Sequence, residues 1–192
     1  VAGGQLGRGR LVRKLFAQIH VSVDGYFDGP NQELDWFVLD DEFFAYVEEM
    51  LGSISAILLG RTTYDGFAAH WPNSTQDEAA AMNALPKFVA STTLTSATWS
   101  NTTIIAGDVP DAVARMKQEP GKDIALIGSS SLASTLAAHG LIDEFRLFVV
   151  PVLLGRGKRV LDGLPDRLGL TLQSSRVYPS GVVAQYYTPA DT

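Results

Sequence analysis

The chain has 192 residues, a hydrophobic share of 46%, a charged share of 19% and a formal net charge of −6; these values describe one globular domain, able to bury roughly 70% of its unfolded surface. The acidic balance argues against nonspecific nucleic-acid binding, and no apolar run approaches the roughly 20 residues that cross a bilayer. With no cysteine, disulfides, thiolate nucleophiles and zinc–cysteine sites are excluded and a cytoplasmic location is expected; three scattered histidines, His20, His70 and His139, suggest no metal centre.

Residues 1–12 are rich in glycine and arginine and lack periodicity, so a flexible extension is expected ahead of a domain over residues 13–189. From Leu15 to Val23 apolar residues alternate strictly, which predicts a strand. Asp24-Gly25 breaks it, and Asp28-Gly29-Pro30-Asn31 continues the loop. Asp40 and Asp41 open a helix whose Phe44, Val47 and Leu51 share a face, closed by Gly52. A short strand over Ala56–Leu59 ends at Gly60, and a helix follows over Thr62–Ala69 with Thr62 as the expected N-cap. A helix over Asp77–Leu85, a strand over Phe88–Ala90 and a strand over Thr103–Ala106 come next. Then follow a helix over Val109–Lys117, a strand over Ile124–Ile127, a helix over Ser130–Ala138 and a strand over Glu144–Val150. The chain closes with strands Leu170–Tyr178 and Val182–Thr188, joined by the turn Pro179-Ser180-Gly181. Such alternation predicts an α/β domain with a mostly parallel sheet and an antiparallel C-terminal hairpin.

In open α/β sheets, ligands bind beyond the carboxyl ends of strands, where helix N-termini point free amides at anions. Two strand-to-helix junctions carry suitable residues. At Gly60-Arg61-Thr62 the glycine permits close backbone approach, the threonine offers a hydroxyl and the arginine offers a fork for phosphate. At Gly128-Ser129-Ser130-Ser131, one glycine and three serines at a helix start suit a pyrophosphate. Each is also readable as an ordinary helix cap. The glycine fingerprint and ribose-binding acid of dinucleotide-binding Rossmann folds are missing, as is a Walker A loop.

The order of these pieces is more specific than any one of them. VSVDGYF at 21–27, LLGRTTYDGF at 58–67, Lys87-x-Val89-x-Ser91, Ile127-Gly128-x-x-x-Leu132 and HGLIDEFRLFVVPVLLGRGKRVLDG at 139–163 together resemble the dihydrofolate reductase superfamily. The nearest branch is that of the riboflavin-biosynthesis reductase domain, over roughly Arg13 to Tyr187. The resemblance implies a three-layer α/β/α reductase fold and an NADPH cofactor. It implies that Gly60, Arg61 and Thr62 meet cofactor phosphates, with Ser91 and Thr92 at the adenosine end. Gly128, Ser129, Ser130, Ser131 and Leu132 would wrap the pyrophosphate, and Ala17 would border the nicotinamide. Where many relatives carry a second glycine this chain has Ser129, whose side chain is expected to crowd the cofactor.

The same resemblance implies an acid on the first helix that anchors a flat heterocycle. The spacing from Trp36 makes Asp41 the candidate and Asp40 the second, although carboxylates at a helix start also serve as caps. Asp24 is the other catalytic candidate, at the expected mouth of the cleft, although Asp-Gly is also an ordinary turn. Trp36 and Tyr64 are candidates for an aromatic wall, with Phe37 assigned to the core. Leu154 and Arg156 are implied as substrate contacts, with Lys158 an alternative cation. His20, on the opposite parity from Ile19 and Val21, reads as a half-exposed sheet residue rather than a base. The function implied is hydride transfer from NADPH to a pteridine, pyrimidine or related substrate, and relatives pair as homodimers through their C-terminal strands. Dihydrofolate reduction itself, or a nucleotide- or flavin-binding module without turnover, are the alternatives.

Overall fold

Alternation on the first strand hides the fact that both of its faces are covered. In a computed structural model that describes residues 12–190, β1 (Leu15–Ser22) runs through the middle of an eight-stranded sheet. The expected extension therefore lies outside the described residues except for Val12. The other strands of this sheet are β3 (Ile54–Gly60), β4 (Lys87–Ala90), β5 (Thr102–Ile105), β6 (Asp123–Ile127), β7 (Glu144–Val150), β9 (Leu170–Val177) and β10 (Val183–Pro189). Their order is β5-β4-β3-β6-β1-β7-β10-β9. Pairings from β5 to β7 are parallel, and β10 is antiparallel to both β7 and β9. A parallel core with an antiparallel C-terminal hairpin is the architecture expected from the sequence.

Two layers of helix cover this sheet, because each parity of β1 is apolar enough to need a partner. Leu15, Ala17 and Ile19 pack with Val113 and Met116 of α4 (Val109–Gln118) and with Ala133 and Leu136 of α5 (Ser130–Ala138). Phe16 faces the other way, in a core with Met50 and Leu51 of α1 (Asp41–Ser53), Tyr64 of α2 (Arg61–His70) and Met82 of α3 (Ala79–Ala84). A small two-stranded ribbon, β2 (Tyr26–Asp28) with β8 (Lys158–Arg159), lies outside the main sheet and was not anticipated.

Two local expectations are corrected. α2 begins at Arg61 with Gly60 as its N-cap, so Thr62 lies within the first turn and caps nothing. On α1 the buried residues are Phe43, Met50 and Leu51, whereas Phe44 is 37% exposed. Phe44 faces a cavity instead of the core. An apolar stripe and an apolar cavity wall one residue apart give the same helical pattern, and sequence periodicity cannot separate them.

Candidate active site

β3 and β6 are neighbours in register, with Leu58 opposite Leu126. Gly60 and Gly128 each lie two residues further on, so both junctions open side by side at the carboxyl edge of the sheet. The space between them is tight. A Cβ on Gly60 would lie 2.9 Å from Ser129 Oγ, and one on Gly128, where φ is +62°, would lie 3.2 Å from Thr63 Oγ1. Gly128 is favoured by its left-handed backbone, and at Gly60 a side chain would have to displace that of Ser129.

The helices at these junctions start differently from α1 and α4. α1 and α4 are capped by aspartates: Asp40 accepts from the Phe43 amide and Asp108 from the Asp111 amide. α2 and α5 have neither a side-chain cap nor an acidic residue in the first turn. Their N-terminal amides and positive dipole ends converge on one space, which makes that space a candidate anion site.

Ser129 is the α5 N-cap residue in a left-handed conformation, φ 57°. Its Oγ accepts from the Gly60 amide at 2.7 Å and shares a hydrogen bond with Thr63 Oγ1 at 2.9 Å. The side chain thus turns away from the helix axis and ties the two junctions together. Ser130 Oγ accepts from the Leu161 amide, 2.7 Å, and Lys158 Nζ donates to Ser131 Oγ, 2.6 Å. The serine run fastens the β2–β8 ribbon over the start of α5 and brings Lys158 to the anion site.

These elements enclose a cavity of about 1190 Å³, lined at one end by Gly60–Thr63, Gly128–Leu132 and Lys158. A smaller cavity of about 580 Å³ shares Arg61, Ala90, Ser131 and Thr135 with it and adds Ser91 and Thr92. Arg61, Ser91 and Thr92 therefore share one recess. Arg61 Nε is paired with Asp65 at 2.7 Å, within reach of any anion that enters. Ala17 is fully buried on the opposite face of β1 and lines neither cavity.

The other end of the large cavity is aromatic and apolar. Gln18 and His20 of β1 form its floor, with Phe37, Phe43, Phe44, Phe67 and Trp71 among its walls. His20 is stacked on Phe37, centroids 4.4 Å apart, and on Phe148, 5.2 Å, with Phe43 edge-on at 5.3 Å. Its Nε2 is enclosed without a hydrogen-bond partner, and burial holds the imidazole pKa down to about 4, so it is neutral at physiological pH. Gln18 Oε1 accepts from Tyr46 Oη at 2.6 Å, and Tyr46 Oη accepts from Arg146 at 3.3 Å. His20 and Gln18 are functional candidates that pattern reasoning passed over. The signal present was a polar pair on one parity of a central strand.

Several expected site residues stand elsewhere. Asp24 lines neither of these two cavities; its carboxylate accepts from the Leu154 and Gly155 amides at 3.1 and 2.7 Å and from Ser22 Oγ at 2.7 Å. The Ser22 hydroxyl foremost, then the Gly155 and Leu154 amides, hold it down to about 2, so it keeps no proton to donate. Leu154 and Arg156 lie on this anchored loop, outside the cavity lining. Asp40 caps α1 and accepts from the Ser180 amide at 2.8 Å, and its pKa is lowered, first of all by hydrogen bonding to Ser180. Asp41 is exposed, beyond the cavity. Trp36 donates its indole N–H to Glu33 O at 3.1 Å, packs edge-on against Phe37 and does not line the cavity, whereas Phe37 does. Tyr64 is core, its hydroxyl accepting from the Thr98 and Trp99 amides. The carboxylates that line the cavity are Asp28 and Glu78.

Comparison with known proteins places this geometry. The model of the RibD C-terminal domain matches residues 13–184. Two Bacillus subtilis proteins of uncharacterized function are similar along nearly their whole length. YyaP is 32% identical over 181 residues, covering 91% of this chain and 94% of its own, and YwjB is 26% identical over 180 residues, covering 92% and 98%. Among solved structures, a putative riboflavin biosynthesis protein from Shewanella sp. PV-4 superposes with TM-score 0.74 at 21% identity, covering 93% of this chain and 99% of that one. A pyrimidine reductase-like protein from Corynebacterium diphtheriae gives TM-score 0.70 at 12% identity, with 94% and 93% covered. A dihydrofolate reductase from Enterococcus faecalis, complexed with NADP(H), gives 0.61 at 13%, with 93% and 97% covered. The fold is the dihydrofolate reductase-like fold.

Proposed function

Because the chain belongs to the RibD C-terminal domain family, we propose that it is an NADPH-dependent reductase acting on a flat heterocycle of the pyrimidine, pteridine or flavin kind. The observation that carries this reading is the pair of uncapped helix starts, α2 and α5, converging on one recess beside Arg61 and Lys158. A dinucleotide diphosphate needs free amides, a dipole end and local cations, and the described residues supply all three there.

In this reading Arg61, Thr62 and Thr63 hold phosphate at the start of α2, with Ser91 and Thr92 receiving the adenosine end. Gly128, Ser130 and Ser131 hold the diphosphate from the side of α5. When bound, NADPH supplies the hydride. The chain's own part is to hold the acceptor ring against the floor formed by Gln18 and His20, with water excluded by the surrounding aromatic walls. Proton delivery is assigned to the cavity-lining carboxyl group of Asp28 instead of Asp24 or Asp41. At about 1190 Å³ the cavity exceeds the roughly 300–1,000 Å³ of a single-ligand site, as simultaneous occupancy by two molecules requires.

Titration with NADPH, followed by fluorescence, tests this directly: a dissociation constant in the micromolar range or below is expected, and absence of binding removes the reading. Oxidation of NADPH with a panel of pterins, aminopyrimidines and flavins then identifies the acceptor. A second reading, a ligand-binding module without turnover, draws support from the fact that neither Asp24 nor Asp41 lines the cavity. Under it, NADPH binds but no acceptor oxidises it. We further propose a homodimer formed through β9, whose eight residues are exposed throughout.

A further inference from the structure

The charged groups of the large cavity are unevenly distributed. Among the described lining residues, both Arg61 and Lys158 stand at the diphosphate end, one at the first residue of α2 and the other against Ser131. α2 rises about 1.5 Å per residue, so Phe67 and His70 on the same helix lie roughly 9 and 13 Å further along. That far limb is closed by Phe67, Trp71 and Met82, and its remaining polar side chains are His70, Gln76 and Glu78. His70 Nε2 and Gln76 Oε1 are 3.2 Å apart, and Trp71 Nε1 is enclosed without a partner. No lysine or arginine among the described lining residues reaches this limb, and its acidic side chain is Glu78.

We propose that this limb takes an uncharged planar aromatic heterocycle and discriminates against a phosphorylated one. The inference rests on the reductase reading, because it treats the two limbs as cofactor and acceptor sites. A phosphate monoester carries nearly two negative charges at neutral pH. Carried into this limb it would stand beside the carboxyl group of Glu78 and meet no lysine or arginine among the described lining residues. A neutral ring loses little hydration and gains stacking against Phe67 and Trp71. A substrate carrying a ribose phosphate would find no lysine or arginine here.

Riboflavin and riboflavin 5′-phosphate differ only by the phosphate and serve as the probe pair. Their dissociation constants are measured by fluorescence quenching at low ionic strength, with saturating NADP⁺ to block the diphosphate end. Riboflavin is expected to bind at least tenfold tighter than its phosphate. Gln76→Arg, which adds a cation to the limb, is expected to narrow that ratio at least threefold. Equal or tighter binding of the phosphate ester by the unmodified protein overturns the inference, as does failure of both flavins to bind. If NADP⁺ itself does not bind, the reductase reading fails, and the flavin ratio measured without it still decides the preference of the limb.

Discussion

Arg61 illustrates how magnitudes decide what a side chain does. Its ion pair with Asp65 is an exposed i, i+4 contact with 40% and 51% of the side chains accessible, a type of pair worth about 0.3–0.5 kcal/mol. A charge-assisted hydrogen bond to phosphate is worth about 1.5–3 kcal/mol, so the guanidinium leaves Asp65 when an anion arrives. Arg61→Ala is therefore expected to weaken NADPH binding by about 1–3 kcal/mol, whereas Asp65→Asn should tighten it by less than about fivefold. Isothermal titration of the two variants checks both, and an unchanged affinity in Arg61→Ala removes that residue from the site. His20 makes a prediction about pH. Its folded pKa of about 4 lies below the unfolded value of about 6.5. Above pH 6.5 neither state is protonated and the burial carries no penalty. Below it the unfolded chain takes the proton first, so stability drains away as pH falls towards 4, by about 2–3 kcal/mol at pH 4.5. Urea unfolding at pH 7.5 and 4.5 should show that loss in the native chain and a smaller one in His20→Phe; equal losses would contradict the neutral, enclosed imidazole.

At the scale of elements, α1 and α4 start on aspartate caps, whereas the starts of α2 and α5 at the large cavity carry no side-chain cap. Asp40 holds the first turn of α1 and also the β9–β10 turn through Ser180. Asp40→Ala is expected to cost about 1 kcal/mol, read as a fall in Tm of roughly 2–4 °C for a chain of this size. NADPH affinity should not change; lost affinity at unchanged Tm would return this carboxylate to the site. The α1 pattern also shows how a sequence reading slips. Phe43 and Phe44 are adjacent aromatics that both line the cavity, and Phe43 alone is also buried in the core. The choice between them is made by α1's neighbours, Phe148 and Tyr178 from the C-terminal half of the chain. Local periodicity carries no trace of that decision.

For the whole molecule, the outermost strand is the open question of assembly. β9 pairs only with β10 in the sheet order, and Leu172 and Val177 are 53% and 70% exposed. A long exposed edge strand invites pairing unless something covers it, and a second copy of the chain would do so. Leu172→Glu is expected to shift sedimentation from dimer to monomer; a native chain that sediments as a monomer at micromolar concentration overturns the proposed homodimer. The element order and the two glycine junctions were legible because strand alternation, helix starts and tight turns are local patterns, written within a dozen residues. The parallel sheet followed from the regular exchange of strand and helix. What only the tertiary structure decided was which carboxylates reach the cavity and which parity of β1 forms its floor. Asp24, Asp40 and Asp41 resemble site residues in a one-dimensional reading, yet Asp24 and Asp40 are spent on backbone amides 130 and 140 residues away and Asp41 points to solvent. Gln18 and His20 became candidates only when α1, the 29–39 loop and β7 closed around them. Such contacts depend on strand register and long-range packing, which no local spacing encodes.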